Sequence, residues 1–191
     1  MHVWIDIDDE QDVPFYKVFI TALKGKGHIA TVTALDKKEI KDKLNQYDLD
    51  ARITGKLYSF FGIWEKYFHV LRGARLAKYI FPRNIDISFS FGSLSMLFAS
   101  IDVKIPTAQL ITDYYKDKIH LYYAVTEKCY FIFSDTVSDQ LITERGVDIK
   151  KATKFKGEIK RGDTSPDLKP ISELISQLEL LTKNLTSNTN A

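Results

Sequence analysis

Five carboxylates fall within seven residues near the start of the chain: Asp6, Asp8, Asp9, Glu10 and Asp12. Just before them, Val3, Ile5 and Ile7 alternate with Trp4, Asp6 and Asp8, the period-two spacing of a strand. From Val13 to Leu23 the apolar residues have helical spacing, so the carboxylates gather where a first strand feeds a helix. Open α/β sheets bind their ligands at that carboxyl edge. Two more groups are expected there. Gly92-Ser93 turns a fourth strand into a helix; Gly92 lets a backbone or ligand approach closely, and the amides of a helix start suit an anion or a sugar oxygen. Asp113 follows a fifth strand. Asp8, Gly92, Ser93 and Asp113 are therefore the candidate substrate-binding residues: the carboxylates accept protons from a hydroxyl-rich ligand such as a sugar while the amides after Gly92 donate. The competing reading is an ordinary strand-to-helix turn with carboxylates solvated at strand ends.

The elements that must carry these groups follow in a regular alternation. A helix from about Val13 closes at Gly25-Lys-Gly27, and His28 to Ala34 is a β-branched strand. Asp36 is placed to cap a helix to about Gln46, and Asp50 to Thr54 reads as a third strand. Asn84 to Ser90, Lys104 to Thr112, Tyr130 to Phe133 and Thr153 to Phe155 supply four more, with helices over Leu94 to Ile101 and Thr136 to Arg145 between them. The expected fold is a single α/β Rossmann-like domain over residues 1–160. Its sheet is mostly parallel, in the order 3-2-1-4-5-6, with helices on both faces. Residues 161–183 read as a loop and a C-terminal helix, and 184–191 as a flexible polar tail. Cys129, at a strand entry, is expected as a small buried residue rather than a nucleophile.

Composition bounds the function. The chain has 191 residues, 45% of them hydrophobic, enough for one sizeable core. A net charge of +2 gives no argument for nucleic acid. One cysteine excludes an internal disulfide framework and a multi-cysteine zinc site, so no metal is assigned and a cytoplasmic placement is expected. The uncharged run Ile87 to Ile101 falls short of the roughly 20 apolar residues of a spanning helix. No Gly-x-Gly-x-x-Gly follows the first strand, so no dinucleotide and no other cofactor is expected.

Residues 57–81 depart from the pattern. Aromatic and aliphatic residues alternate there with Lys66, Arg72, Arg75 and Lys78. From Lys56 to Arg83, six Lys or Arg stand against one Glu, a local excess of five positive charges. One reading is a helix covering the sheet with a solvated basic face. The other is docking on an anionic membrane surface, which makes the protein peripheral to the membrane.

Val3-Trp-Ile-Asp-Ile-Asp8, Phe15-Tyr-Lys17, Gly27-His28, Thr33-Ala34, Gly92-Ser93, Ile105-Pro106, Asp113 and Phe155-Lys-Gly157, taken in order, resemble the DUF354 family of archaeal and bacterial proteins. That family looks like two-domain GT-B glycosyltransferases and is akin to sugar-nucleotide 2-epimerases. The resemblance covers nearly the whole chain, as the family's N-terminal half. It implies a GT-B N-terminal-like domain that holds the acceptor, a glycan or sugar-nucleotide ligand, and a separate donor-binding domain or subunit as partner.

Three departures bear on its chemistry. Asp9-Glu-Gln-Asp12 stands where the family tends to show Asn-Pro-Pro-His, and Phe91-Gly-Ser-Leu94 where it tends to show His-Gly-Ser-Pro. Asp113 keeps the first carboxylate of an Asp-x-Glu pair, but Tyr115 replaces the second. With those imidazoles gone, Asp8 and Asp12 are the candidate catalytic proton acceptors. The isolated chain is expected to be inactive, as a subunit of a split enzyme or a non-catalytic binding protein. Asp6-x-Asp8 also resembles the haloacid-dehalogenase phosphatases, which implies a magnesium-dependent alternative with Asp6 as nucleophile and Asp8 as acid/base. A protein-interaction domain without a small-molecule site is the third reading.

Overall fold

The alternation of strand and helix patterns builds one parallel sheet with both faces covered. The computed structural model describes residues 1–56, 63–112, 128–160, 162, 163 and 166–188. In chain order these form β1 (His2–Ile7), α1 (Val13–Gly25), β2 (Ile29–Ala34), α2 (Lys38–Gln46), β3 (Arg52–Ile53), α3 (Ile63–Ile80), β4 (Ile87–Ser90) and α4 (Leu94–Asp102). β5 (Thr107–Ile111), β6 (Cys129–Ser134), α5 (Asp139–Glu144), β7 (Ala152–Phe155) and α6 (Leu168–Asn188) complete them. The strands lie in the order β3-β2-β1-β4-β5-β6-β7, and every described pairing is parallel. The expected order 3-2-1-4-5-6 is thus observed, extended by β7 at the edge. Such a sheet puts the switch in chain direction between β1 and β4 and gathers strand ends on one carboxyl edge.

Alternation along β1 sorts its side chains to the two faces. Val3, Ile5 and Ile7 join a large core with Phe15, Tyr16 and Phe19 of α1 and Ile171, Leu174, Ile175 and Leu178 of α6. Trp4 faces the other way, into a smaller core with Leu76, Ala77 and Ile80 of α3 and Met96 and Ala99 of α4. Asp6 shares that second face, which is why its charge matters to the fold. α6 runs to Asn188, so its last turns take in residues 184–188. Among the described residues no helix is long and apolar enough to cross a membrane.

Two local expectations are corrected. Asp36 does not cap α2; the N-cap is Lys37, without a side-chain cap bond, while the Asp36 carboxylate accepts from Lys41 Nζ at 2.9 Å. The carboxylate is instead engaged by the ion pair with Lys41, the fourth residue of α2. The third strand is shorter than the expected Asp50 to Thr54, only Arg52 and Ile53, because β2 is its sole described neighbour and the chain turns at Gly55 (φ +72°).

Candidate functional site at the carboxyl edge of the sheet

Asp6 accepts four side-chain hydrogen bonds at this edge. Arg72 of α3 meets it with both terminal nitrogens: Nη1 donates to Oδ2 at 2.7 Å and Nη2 to Oδ1 at 2.8 Å. Thr33 Oγ1 donates to Oδ1 at 2.6 Å and Ser93 Oγ to Oδ2 at 2.6 Å. Trp4 Nε1 completes the chain by donating to Thr33 Oγ1 at 2.9 Å. Asp6 and Arg72 are each only 1% exposed. Burial works against the Arg72 charge, yet contact with Asp6 and the nearby Asp8 carboxylate more than restore it, so its pKa is raised. A carboxylate held by four donors has no lone pair presented to phosphorus and nowhere to receive a substrate. The phosphatase reading with Asp6 as nucleophile is corrected on this ground.

Arg72 is also a correction in its own right. Read as one cation of a basic helix face, it instead points inward and cannot meet a lipid headgroup. Its phase shows why: Arg72 precedes Leu76 and Ile80 by one and two helical turns, so it belongs to the buried stripe of α3. An arginine in an apolar stripe requires a buried carboxylate, and Asp6 in the mostly apolar β1 is that partner. Arg72 Nε further donates to Thr54 O at 2.9 Å, tying the exit of β3 to the same point. Gly55 leaves room for it, since a Cβ there would lie 2.9 Å from Arg72 Cγ.

The acidic turn after β1 is mostly engaged in shaping itself. Asp9 accepts from Gln11 N at 2.9 Å and caps the 3-10 turn Glu10–Asp12. Glu10 pairs with Lys37 at 2.7 Å, and that bond raises the Lys37 pKa. Asp12 is buried at the start of α1, where a negative charge is favoured by the helix dipole. Asp8 is half-buried at the edge. Of the candidates implied by chemistry, Asp8 and Asp12 thus lie at the carboxyl end of β1; Asp113, with Tyr115, lies outside the described residues.

Ser93 caps α4, its Oγ accepting from Met96 N. The rest of the turn is tied inward. Ser90 Oγ accepts from Gly92 N at 3.2 Å and Ser93 N at 2.9 Å, and Phe91 N donates to Tyr16 Oη at 3.0 Å. Any ligand at the Gly92-Ser93 amides competes with Ser90 for them. Because the Ser90 hydroxyl already accepts twice, its single proton goes to Gln109 Oε1 at 2.9 Å, which turns Gln109 Nε2 away from it. Gln109 is fully buried, and among the described residues neither its Nε2 nor Thr112 Oγ1 has a hydrogen-bond partner. Sequence reading missed both; the available signal was a glutamine set between Ala108 and Leu110 in a buried strand.

Beside this network a cavity of about 260 Å³ opens at the ends of β2 and β3, lined by Asp36, Lys56, Phe68, Leu71, Arg72 and Arg75. Lys41 by hydrogen bond, and Lys56 by charge, hold the Asp36 carboxyl below its ordinary pKa. A groove of about 570 Å³ lies on the opposite edge, between Met1, His28 and Asp86 and the α6 residues Glu179 and Lys183. It is larger but far from the strand ends where such sheets bind ligands.

Comparison with known proteins adds a fold. Neither a family model nor a curated protein matches the sequence. Solved structures do. The UDP-GlcNAc 2-epimerase from Methanocaldococcus jannaschii is similar with a TM-score of 0.61 at 11% identity, over 81% of this chain and 45% of that one. The UDP-GlcNAc 2-epimerase from Neisseria meningitidis bound to UDP-GlcNAc gives 0.56 at 12%, over 80% and 45%. A glycosyltransferase from Rickettsia africae gives 0.56 at 14%, over 83% and 43%. The chain therefore spans less than half the length of the structures it resembles. The likeness, together with the all-parallel sheet and its strand order, shows that this chain has a GT-B-like, Rossmann-type α/β fold.

Proposed function

We propose that this chain is the acceptor-side half of a GT-B-like enzyme of glycan or sugar-nucleotide metabolism, working with a donor-binding half. The observation that carries this reading is the pair of coverages: four-fifths of this chain superposes on less than half of a sugar-nucleotide epimerase. The resemblance to the DUF354 family favours the N-terminal, acceptor-side half. Among the described residues the carboxyl edge carries a cavity of about 260 Å³, which suits one wall of a cleft.

On this reading Asp8, with Asp113, accepts from sugar hydroxyls, and the Gly92-Ser93 turn supplies donors once the Ser90 hydroxyl yields them. Asp8 and Asp12 are the carboxylates proposed to take a proton, Asp8 being the more accessible of the two, and Asp6 is reserved for Arg72. The chain acts in the cytoplasm, where a lone buried thiol is suited to a reducing environment.

The test is turnover. Incubated with UDP-GlcNAc and a range of sugar acceptors, the purified chain leaves the donor intact, neither transferring nor epimerising it. Adding the matching donor-binding half restores turnover, and Asp8→Asn lowers it. Turnover by this chain alone, or none with any donor-binding half, overturns the proposal.

A further inference from the structure

The outer face of α3 is wrongly coloured for a helix that only covers a sheet. Its inward stripe is accounted for, with Leu76, Ala77 and Ile80 packed on Trp4, Met96 and Ala99. A sheet-covering helix then shows polar residues to water. Here Tyr67, Val70 and Leu71 remain 51, 46 and 38% exposed, and Phe81, one residue past the helix, 78%. At 100° per residue, Tyr67, Val70, Leu71, Ala74, Lys78 and Phe81 fall on one stripe. From Tyr67 to Phe81 that stripe is about 21 Å long at 1.5 Å per residue.

Charge selects the occupant. Arg75 and Lys78 are exposed on or beside the stripe, and no Asp or Glu lies between Tyr67 and Arg83. Two such faces repel each other, which disfavours a second copy. The cavity that Leu71 and Arg75 border is rimmed mostly by charged side chains, Asp36, Lys56, Arg72 and Arg75, unlike the apolar pocket that an aromatic anchor of a protein partner fills. Aromatic and aliphatic side chains projecting from a helix among cations match the boundary between acyl chains and anionic headgroups.

We infer that the protein docks on an anionic lipid bilayer through α3, inserting Tyr67, Val70, Leu71 and Phe81 while Arg75 and Lys78 meet the headgroups. The inference is separate from the sugar-directed reading: Leu71 and Arg75 also border the carboxyl-edge cavity, but Asp8, Gly92 and Ser93, which carry that reading, take no part in docking.

Vesicle flotation of the full chain tests it. Phosphatidylcholine vesicles containing phosphatidylglycerol carry the protein upward and phosphatidylcholine alone does not, with recovery falling as salt is raised. Arg75→Gln and Lys78→Gln each weaken binding about fivefold, and together about twenty-five-fold. Tyr67→Ser with Phe81→Ser abolishes it, and the same circular dichroism as the parent shows the fold intact; Phe81→Ser alone, at the most exposed position, is the safeguard if the pair unfolds. Equal binding to both vesicles, no flotation, or binding indifferent to these variants overturns the inference. A concentration-dependent dimer lost in the Tyr67→Ser, Phe81→Ser variant, without flotation, assigns the stripe to a second copy and overturns it equally.

Discussion

Asp6 and Arg72 stand 66 positions apart and meet through two parallel N–H···O bonds of 2.7 and 2.8 Å, with both side chains shielded from water. Around this pair five segments converge. β1 supplies Asp6, β2 Thr33, the exit of β3 the Thr54 carbonyl, α3 the arginine and the start of α4 Ser93. Taking both charges out of water costs several kcal/mol per ion, which only such complete hydrogen bonding offsets. The pair therefore fixes how α3 and α4 sit on the sheet, and with them the geometry of the carboxyl edge, more than it adds net stability.

Breaking the pair from one side is expected to be far worse than removing it whole. Arg72→Met leaves a carboxylate buried without its cation, and Asp6→Leu leaves a buried guanidinium; each costs about 3–5 kcal/mol. The double variant loses both charges and recovers most of that. Urea unfolding midpoints of the four proteins close the cycle. Single variants within about 1 kcal/mol of the parent, or a double variant as unstable as the sum of the two singles, contradict the pairing.

How much of this was legible depended on whether the signal was local. The alternation Val3, Ile5, Ile7 against Trp4, Asp6, Asp8 marked β1 and its two faces, and Gly92-Ser93 marked the start of α4. Both are properties of a few consecutive residues. The Asp6–Arg72 bond was not legible, because helical phase says which way Arg72 points but nothing local says that a strand carboxylate waits there. The same limit explains the Gly92-Ser93 amides. Their exposure was inferred from the helix start, whereas the Ser90 hydroxyl two and three residues earlier folds back to take them. Gln109 stayed hidden because its role depends on what Ser90 does with its proton.

Acid should weaken the fold through His2. Burial lowers its pKa from 6.5, with the Asn84 carbonyl and Asp86 only partly offsetting, while the ring nitrogen Nε2 bonds Thr31 Oγ1 at 2.8 Å. A histidine whose folded pKa lies below its unfolded one takes up its proton more readily when unfolded. Its contribution is therefore whole above about 6.5 and is lost as pH falls through the folded value. The expected result is that His2→Gln flattens part of the decline in unfolding midpoint between pH 7.5 and 5. Parallel pH profiles for the variant and the parent remove His2 from the account.

Gln109 separates stability from recognition at the carboxyl edge. Fully buried, with Nε2 unpartnered among the described residues, it carries the desolvation cost of an unsatisfied donor, about 1–3 kcal/mol. Gln109→Met removes that cost but leaves the buried Ser90 hydroxyl proton without an acceptor, a penalty of the same size, about 1–3 kcal/mol. The two offset, so the ligand-free variant should stay within about 1 kcal/mol of the parent in urea unfolding. If the amide is kept to meet a sugar hydroxyl, the same variant should bind the sugar ligand more weakly, a loss in recognition at little change in stability. A variant destabilised by more than about 1 kcal/mol shows that Nε2 is bonded in the folded protein, and Gln109 then belongs to the structural network around Ser90 rather than to the site.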